Sequence, residues 1–165
     1  MKASDLKGRA VVTLSDAAKV GHVDDVLFDA TYRQVLGFRV KRGTFGHADA
    51  LPRDRVTAVG ADALTVDSPD ALNVEERFAA LSGAASLEQV HGTKVVTEGG
   101  ALVGTIAAVE VDDAVQHVVA YTLSAPLLDT LRHRAPALQA AEVLRLGEGG
   151  IMIVPDAVGQ ALHAS

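Results

Sequence analysis

The chain has 165 residues, of which 48% are hydrophobic, 22% are charged and 4% are aromatic, and its formal net charge is −6. This composition is typical of a folded protein with one domain or two small ones, and it excludes intrinsic disorder. No window approaches 18 uncharged apolar residues and the first residues lack the apolar run of a secretory signal, so we expect a cytoplasmic protein without a membrane span. With no cysteine, the sequence excludes disulfides and thiolate metal sites.

The acidic charge is concentrated in the second half of the chain. Residues 1–67 contain ten Lys and Arg against nine Asp and Glu, whereas residues 88–165 contain four against nine. An acidic chain is repelled by phosphate backbones, so general nucleic-acid binding needs a local basic surface. The first half alone has enough basic residues to form one.

An internal repeat organises the sequence. Four pairs of segments match in the same order: 8–13 (GRAVVT) with 92–97 (GTKVVT), 20–23 with 103–106, 35–38 with 118–121, and 56–66 with 143–153. The first pair has an offset of 84 residues and the last an offset of 87. Ordered matches of this kind predict an internal duplication, with residues 1–67 as the first repeat and residues 87–165 as the second.

Each repeat is predicted to consist of short strands. Residues 38–41 alternate between apolar and charged side chains, which is typical of a strand with one buried face. The stretch 20–29 breaks this alternation, and a bulge near Asp24 and Asp25 would restore it. Frequent turn signals between such strands indicate small barrels. We therefore expect a mainly β fold with two small antiparallel barrels in tandem and a few short helices.

Strand alternation also predicts which side chains form the core. We expect these to be buried: Val11, Val23, Phe28, Phe38, Val56 and Leu64 in the first repeat, and Val95, Ile106, Val111, Tyr121, Val143 and Ile151 in the second.

Three helical segments are predicted outside the strands. Ser68 followed by Pro69 is typical of a helix start, so residues 68–86 are expected to form a helical connector between the repeats. The second repeat has an insertion near residues 124–138 that is predicted to be helical and to lie between two prolines. A third short helix is expected to begin near Pro155.

Several of these segments resemble the PRC-barrel domain family. The segments are GHVDDVLFD at 21–29, VLGFRV at 35–40, ALP at 50–52 and the strand region 56–66. The resemblance covers residues 5–67, and residues 87–156 more loosely, because alanines replace the aspartate pair there. It implies a small, mostly antiparallel β-barrel like that of the photosynthetic reaction centre H subunit and of the C-terminal domain of the ribosome maturation factor RimM. In those proteins the domain resembles a docking module, and the family supplies no catalytic residues.

Candidate metal-binding and catalytic residues do not form a known arrangement. His22, Asp24 and Asp25 offer one imidazole and two carboxylates, but on a strand only the first two share a face. The other five histidines are isolated, and the pairs Asp24–Asp25 and Asp112–Asp113 are expected to cap turns or satisfy a bulge. There is no nucleophile elbow, Walker A or dinucleotide-binding motif. We predict no catalytic residue, no metal and no cofactor.

Six basic side chains of the first repeat form the candidate partner-binding face: Arg33, Arg39, Lys41, Arg42, Arg53 and Arg55. Because Phe38 and Val40 have the core parity, Arg39 and Lys41 are expected to point outward together. The alternative is an ordinary solvated surface.

Together these features favour a non-enzymatic docking or assembly module that binds a protein partner through PRC-barrel surfaces, with self-association between barrels or chains as one form of it. A ribosome- or RNA-associated factor that uses the basic residues is the alternative. Small-molecule binding in a cleft between the barrels is a third hypothesis. The sequence does not identify the partner.

Overall fold

The structure is a computed structural model that describes residues 1–43, 48–72, 81, 83–124, 136–147 and 150–164. Its strands form two sheets, one from each half of the chain, so the fold is mainly β, as predicted. Among the described residues, no helix is both long enough and apolar enough to cross a membrane.

The first sheet has its strands in the order β4-β3-β2-β1-β6-β5. These strands are β1 (Ala10–Thr13), β2 (Ala18–Phe28), β3 (Val35–Lys41), β4 (Ala48–Pro52), β5 (Val56–Val59) and β6 (Ala63–Val66). All neighbours are antiparallel except β1 and β6, which are parallel. A further strand, β7 (Ala85–Ser86), pairs with β2.

The second sheet has the order β11-β10-β9-β8-β13-β12. Its strands are β8 (Lys94–Thr97), β9 (Leu102–Val111), β10 (Val118–Ser124), β11 (Ala137–Gln139), β12 (Arg145–Leu146) and β13 (Ile151–Val154). This is the same connectivity as in the first sheet, including the parallel pair, here β8 with β13. The matched sequence segments therefore fall on strands with the same places in the two sheets.

The predicted barrels are not closed. The two edges of the first sheet, β4 and β5, are joined by a 3-10 turn at Arg53–Arg55 rather than by a ladder of hydrogen bonds. In the second sheet, the turn Ala140–Glu142 separates β11 from β12 in the same way. The first sheet, which has seven strands with β7, and the second, which has six, are therefore both open.

The predicted bulge in β2 is confirmed. The register between β2 and β3 shifts between Val23 and Asp25, so Asp24 is the extra residue. In the second sheet, Ile106 pairs with Leu123 and Ala108 with Thr122, so that Ala107 is extra at the equivalent place. The bulge lets Val23, Val26 and Phe28 all face the core, where each is at most 1% exposed.

One of the twelve core predictions is wrong. Ile151 is 43% exposed, and Met152 is buried in its place. In the first sheet Leu64 pairs with Val11, and in the second Met152 pairs with Val95. The offset here is therefore 88 rather than 87, because the β12–β13 turn is one residue longer than the β5–β6 turn. A shift of one residue moves every side chain of a strand to the other face.

The helical predictions have mixed outcomes. A 3-10 turn, Pro69–Leu72, begins at the predicted proline. Residues 73–80 and 82 of the predicted connector and residues 125–135 of the predicted insertion lie outside the described residues. At the described ends of these ranges the helical prediction is wrong, because Ala85–Ser86 and Ala137–Gln139 pair as strands. The last prediction is confirmed by α2, Asp156–Ala164. Four short helical elements in the described part of the chain were not predicted: α1 at Leu87–Val90 and the 3-10 turns Ala3–Leu6, Arg53–Arg55 and Ala140–Glu142.

The segments that precede the two sheets are exchanged between them. β7, which leads into the second sheet, pairs with the end of β2, with Leu27 opposite Ser86. Lys2, which leads into the first sheet, forms a bridge with Glu110 near the end of β9. In the repeat, Lys2 is equivalent to Ser86 and Leu27 to Glu110. Each half therefore contributes a backbone segment to the sheet of the other half.

The β2–β3 and β9–β10 turns meet in the same reciprocal way. The amide of Val35 donates to the carbonyl of Gln116 at 2.9 Å, and that of Val118 donates to the carbonyl of Arg33 at 2.8 Å. Side chains from both sheets also belong to one hydrophobic cluster. The two halves therefore share one core, and separating them exposes apolar surface and unpairs buried backbone groups.

Candidate functional site

The basic side chains on β3 have the predicted orientation. Phe38 and Val40 are fully buried, whereas the side chains of Arg39 and Lys41 are each 45% exposed. Arg42, which follows the strand, is 51% exposed at its side chain. These three cations therefore lie within four residues at the solvent-exposed end of β3.

Acidic side chains neutralise much of the positive charge at this end of β3. Lys41 Nζ lies 3.4 Å from Asp24 Oδ1, and Arg42 Nε lies 2.8 Å from Asp49 Oδ2. Arg39 is more loosely held, with Nη1 at 4.0 Å from Asp25 Oδ2. A further pair joins Arg55 Nη2 to Asp70 Oδ1 at 3.5 Å. The surface of the first sheet is therefore one of mixed charge.

Arg33 and Arg53 lie at the contact between the two halves. Arg33 Nη2 donates to the carbonyl of Val143 at 2.8 Å. Arg53 Nε donates to the carbonyl of Val115 at 3.0 Å, and its Nη2 donates to the carbonyl of Ala114. Burial lowers the pKa of Arg53, against an opposing effect of Asp112. Both side chains hold the second half in place, so the structure does not bring all six basic residues together on one free face.

Asp25 is a buried carboxylate that sequence reasoning identified as part of the bulge. The residue is 4% exposed. Its Oδ1 accepts hydrogen bonds from the amides of Val26 at 2.8 Å and Leu87 at 3.1 Å, and Lys7 Nζ lies 4.0 Å from the same atom. Asp25 therefore connects β2 of the first sheet to the start of α1, which leads into the second.

His91 lies close to this carboxylate, at the C-terminal end of α1. Burial lowers the pKa of His91, the charge of Lys7 lowers it further, and Asp25 acts in the opposite direction. The Nε2 atom of His91 is buried and has no hydrogen-bond partner among the described residues. Burial and the charge of Lys7 thus favour the neutral imidazole over the charged form.

Two aspartates cap equivalent turns. Asp29 Oδ1 accepts from the amides of Arg33 at 2.8 Å and Gln34 at 3.1 Å. Asp112 Oδ1 accepts from the amides of Gln116 at 2.8 Å and His117 at 3.2 Å. Burial acts to raise the pKa of Asp112, but hydrogen bonds from these two residues outweigh it and lower the pKa. The predicted capping role is confirmed for Asp112, and Asp29 has the same role in the first repeat.

No group of three or more histidine, aspartate or glutamate side chains in the described part of the chain could hold a metal ion. His22 lies opposite Lys41 in the β2–β3 ladder. Of the other residues in the predicted set, Asp24 pairs with Lys41 and Asp25 accepts backbone hydrogen bonds. Each of these carboxylates thus has a structural partner.

Two pockets lie beside the connector. One, of about 370 Å³, is on the outer face of the first sheet between Leu27, Arg39, Asp49 and Leu81. The other, of about 380 Å³, lies between the halves, and Tyr32, Gln89 and Leu146 contribute to its walls. Both volumes are at the lower end of the range for small-molecule sites.

Comparison with known proteins supports the resemblance of the first half. Residues 1–73 match the family model of the PRC-barrel domain. No curated protein matches the chain. Among solved structures, a 16S ribosomal RNA processing protein RimM from Pseudomonas aeruginosa is similar, with 17% identity and a TM-score of 0.31 over 92% of this chain and 97% of that one. The match to the PRC-barrel family model is thus confined to residues 1–73, and no comparison assigns a family to the second half.

Proposed function

We propose that this protein is a non-enzymatic docking module of the cytoplasm, in which two PRC-type repeats form one rigid body that binds a protein partner. The observation that carries the proposal is the reciprocal exchange of leading segments. β7 extends the first sheet and Lys2 bridges to the second. The exchange fixes the two sheets relative to one another, and a rigid surface loses less conformational entropy when it binds.

The second half supports the proposal through its matching connectivity. Both sheets have the same strand order, with an equivalent bulge and an equivalent aspartate-capped turn. The polar groups described above stabilise the fold, because Asp25, Arg33 and Arg53 all form hydrogen bonds with backbone atoms. The outer faces of the sheets remain as the surfaces through which such a body meets a partner.

The test is affinity capture of the full tagged chain from its native host after chemical cross-linking, followed by reconstitution with the purified partner. We expect one protein to be enriched reproducibly and to bind the purified chain at a fixed stoichiometry in isothermal titration calorimetry. Failure of every captured protein to bind in the purified system contradicts the docking function.

RNA association is the second candidate, and the exposed Arg39, Lys41 and Arg42 favour it. Their ion pairs with aspartates weaken the attraction to phosphates, because each aspartate cancels most of the field of its partner. Binding of a 16S ribosomal RNA fragment is measured as a function of salt. An affinity that falls steeply with log salt, with a slope corresponding to about three phosphate contacts, supports this candidate. Lack of binding at low salt removes it.

A further inference from the structure

The outer face of the second sheet has a row of apolar side chains that the core does not use. We call it the β8–β13 face and define it by Lys94, Val96, Leu102, Arg145, Ile151 and Ile153. Leu102 is 49% exposed and Ile151 is 43% exposed. Large apolar side chains grouped on a sheet surface are characteristic of an interaction site.

The ladder registers place these side chains next to one another. Val96 pairs with Ile153 on one side and with Leu102 on the other. Arg145 pairs with Ile153 from the edge strand β12. Paired residues point to the same face of a sheet, so this row crosses four strands, a width of about 14 Å. In the next row, Ile151 pairs with Lys94.

The first sheet shows that the fold does not require this apolar row. There, Val12 pairs with Thr65 and with Lys19. Thr65 is the equivalent of Ile153, and Lys19 is the equivalent of Leu102. The two repeats thus both have apolar inward residues but differ on their outer faces at Thr65 and Ile153 and at Lys19 and Leu102, and core packing does not explain the difference.

Two cations stand within the apolar face. Lys94 and Arg145 are both exposed, and neither has an ion-pair partner among the described residues. The adjacent strands β8 and β13 contain no acidic residue. From the registers, the two Cα atoms are about 12 Å apart. This local basic character contrasts with the rest of the second half, where residues 88–165 contain nine acidic residues.

We propose that the β8–β13 face binds a segment of a protein partner that combines leucine- or isoleucine-type side chains with aspartate or glutamate. The apolar residues of the segment cover Leu102, Ile151 and Ile153, and its carboxylates pair with Lys94 and Arg145. This inference rests on the proposed docking function and names the surface and the chemistry of the partner.

The charges of this half of the chain disfavour a membrane, an RNA or a second copy of the chain as the occupant of the face. The second half of the chain, with nine acidic against four basic residues in 88–165, repels an extended anionic surface such as a membrane or an RNA, whereas a short segment contacts only the face itself. A second copy of the chain across a twofold axis presents the same patch with the same two cations and no carboxylate on β8 or β13 to pair with them.

The experiment uses the full chain as bait for a phage-displayed peptide library, and the enriched peptides are then synthesised with a fluorescent label. We expect the peptides to combine acidic and large aliphatic residues. Fluorescence anisotropy then measures their affinity for two variants. The first, L102K/I153T, introduces the residues that the first repeat has at the equivalent places. The second, K94E/R145E, reverses the two exposed charges. We expect each to weaken binding by about tenfold or more.

The matched control is K19E, a charge reversal on the outer face of the first sheet, which we expect to leave the affinity unchanged. Enrichment of basic peptides, or equal affinity for wild type and K94E/R145E, overturns the proposal. So does binding to phosphatidylserine vesicles, or a dimer in sedimentation velocity, if either is lost in L102K/I153T. A host partner that binds wild type and both variants equally refutes this face but leaves the docking function in place. The absence of any host partner refutes the docking function instead.

Discussion

The replacement of Asp25 by alanine is expected to destabilise the protein strongly, although its neighbour Asp24 can be replaced at little cost. The two carboxylates are adjacent in sequence and differ in environment. Asp25 is 4% exposed and accepts hydrogen bonds from two backbone amides, whereas the side chain of Asp24 is 30% exposed and contacts one lysine. Asp25 pairs with Arg39 on the outer face of the sheet and is covered there by the start of α1, whereas Asp24, the extra residue of the bulge, lies at the surface.

The expected loss of stability follows from the two backbone amides that Asp25→Ala leaves without an acceptor. The amides of Val26 and Leu87 belong to fully buried residues, and no water reaches them readily once the carboxylate is gone. Each unsatisfied buried donor costs about 1–3 kcal/mol, and removal of the buried charge returns part of this sum. We therefore expect Asp25→Ala to lower the free energy of unfolding by about 2–4 kcal/mol. Asp25→Asn keeps an acceptor oxygen and is expected to cost about 1 kcal/mol.

Urea unfolding followed by circular dichroism measures these differences. At a typical m-value, the loss for Asp25→Ala corresponds to a midpoint shift of about 1–2 M urea. Asp24→Ala is the control, and we expect it to stay within about 0.5 kcal/mol of wild type. If Asp25→Ala unfolds at the same urea concentration as Asp24→Ala, the carboxylate does not brace the two halves and the reasoning about the bulge is wrong.

Three further outcomes are expected. The double change Arg39→Gln and Lys41→Gln removes two exposed ion pairs and should change the free energy of unfolding by about 1 kcal/mol or less. A larger loss of stability in thermal unfolding would show that Arg39 is needed to stabilise the buried carboxylate of Asp25. Gly21→Ala places a Cβ 2.5 Å from the carbonyl oxygen of Lys41 and should cost about 1–3 kcal/mol, whereas Gly147→Ala, with its nearest neighbour at 3.9 Å, should be neutral in the same assay. Burial raises the pKa of Tyr121 to about 12, so the stability that its neutral phenol contributes is present below pH 10 and is lost as the pH rises towards 12. Tyr121→Phe should remove the late step from the ultraviolet titration of the tyrosines, and persistence of that step would refute its assignment to this residue.

Local patterns predicted much of the fold. The alternation of Phe38, Arg39, Val40 and Lys41 identified the buried face of β3, and the broken alternation around Asp24 identified the bulge. Both depend on side chains within a few residues of each other, where strand geometry leaves few choices. The proline at position 69 identified a helical turn for the same reason.

Contacts between distant residues were not predicted. The pairing of Lys2 with Glu110 and of Leu27 with Ser86 depends on how two sheets dock, and no local pattern encodes it. The roles of Arg33 and Arg53 were missed for that reason, since their acceptors are carbonyls of the other half. The error at Ile151 has a different origin. In the run Ile151–Val154 every side chain is apolar, so alternation does not reveal which parity faces the core.

Under the proposed docking function, the duplication allows one outer face to bind a partner without a change in the core. In a symmetric pair of identical chains, any substitution on one outer face appears on the other as well. Once the two repeats are joined in one chain, their outer faces can change independently while the inward residues stay fixed. On the first sheet, Leu27 and Ala50 are covered by Leu81 of the connector. On the second, Leu102 and Ile151 remain exposed beside Lys94 and Arg145. The exchange of leading segments keeps both sheets in one body, so a partner held on the second sheet is fixed relative to the first.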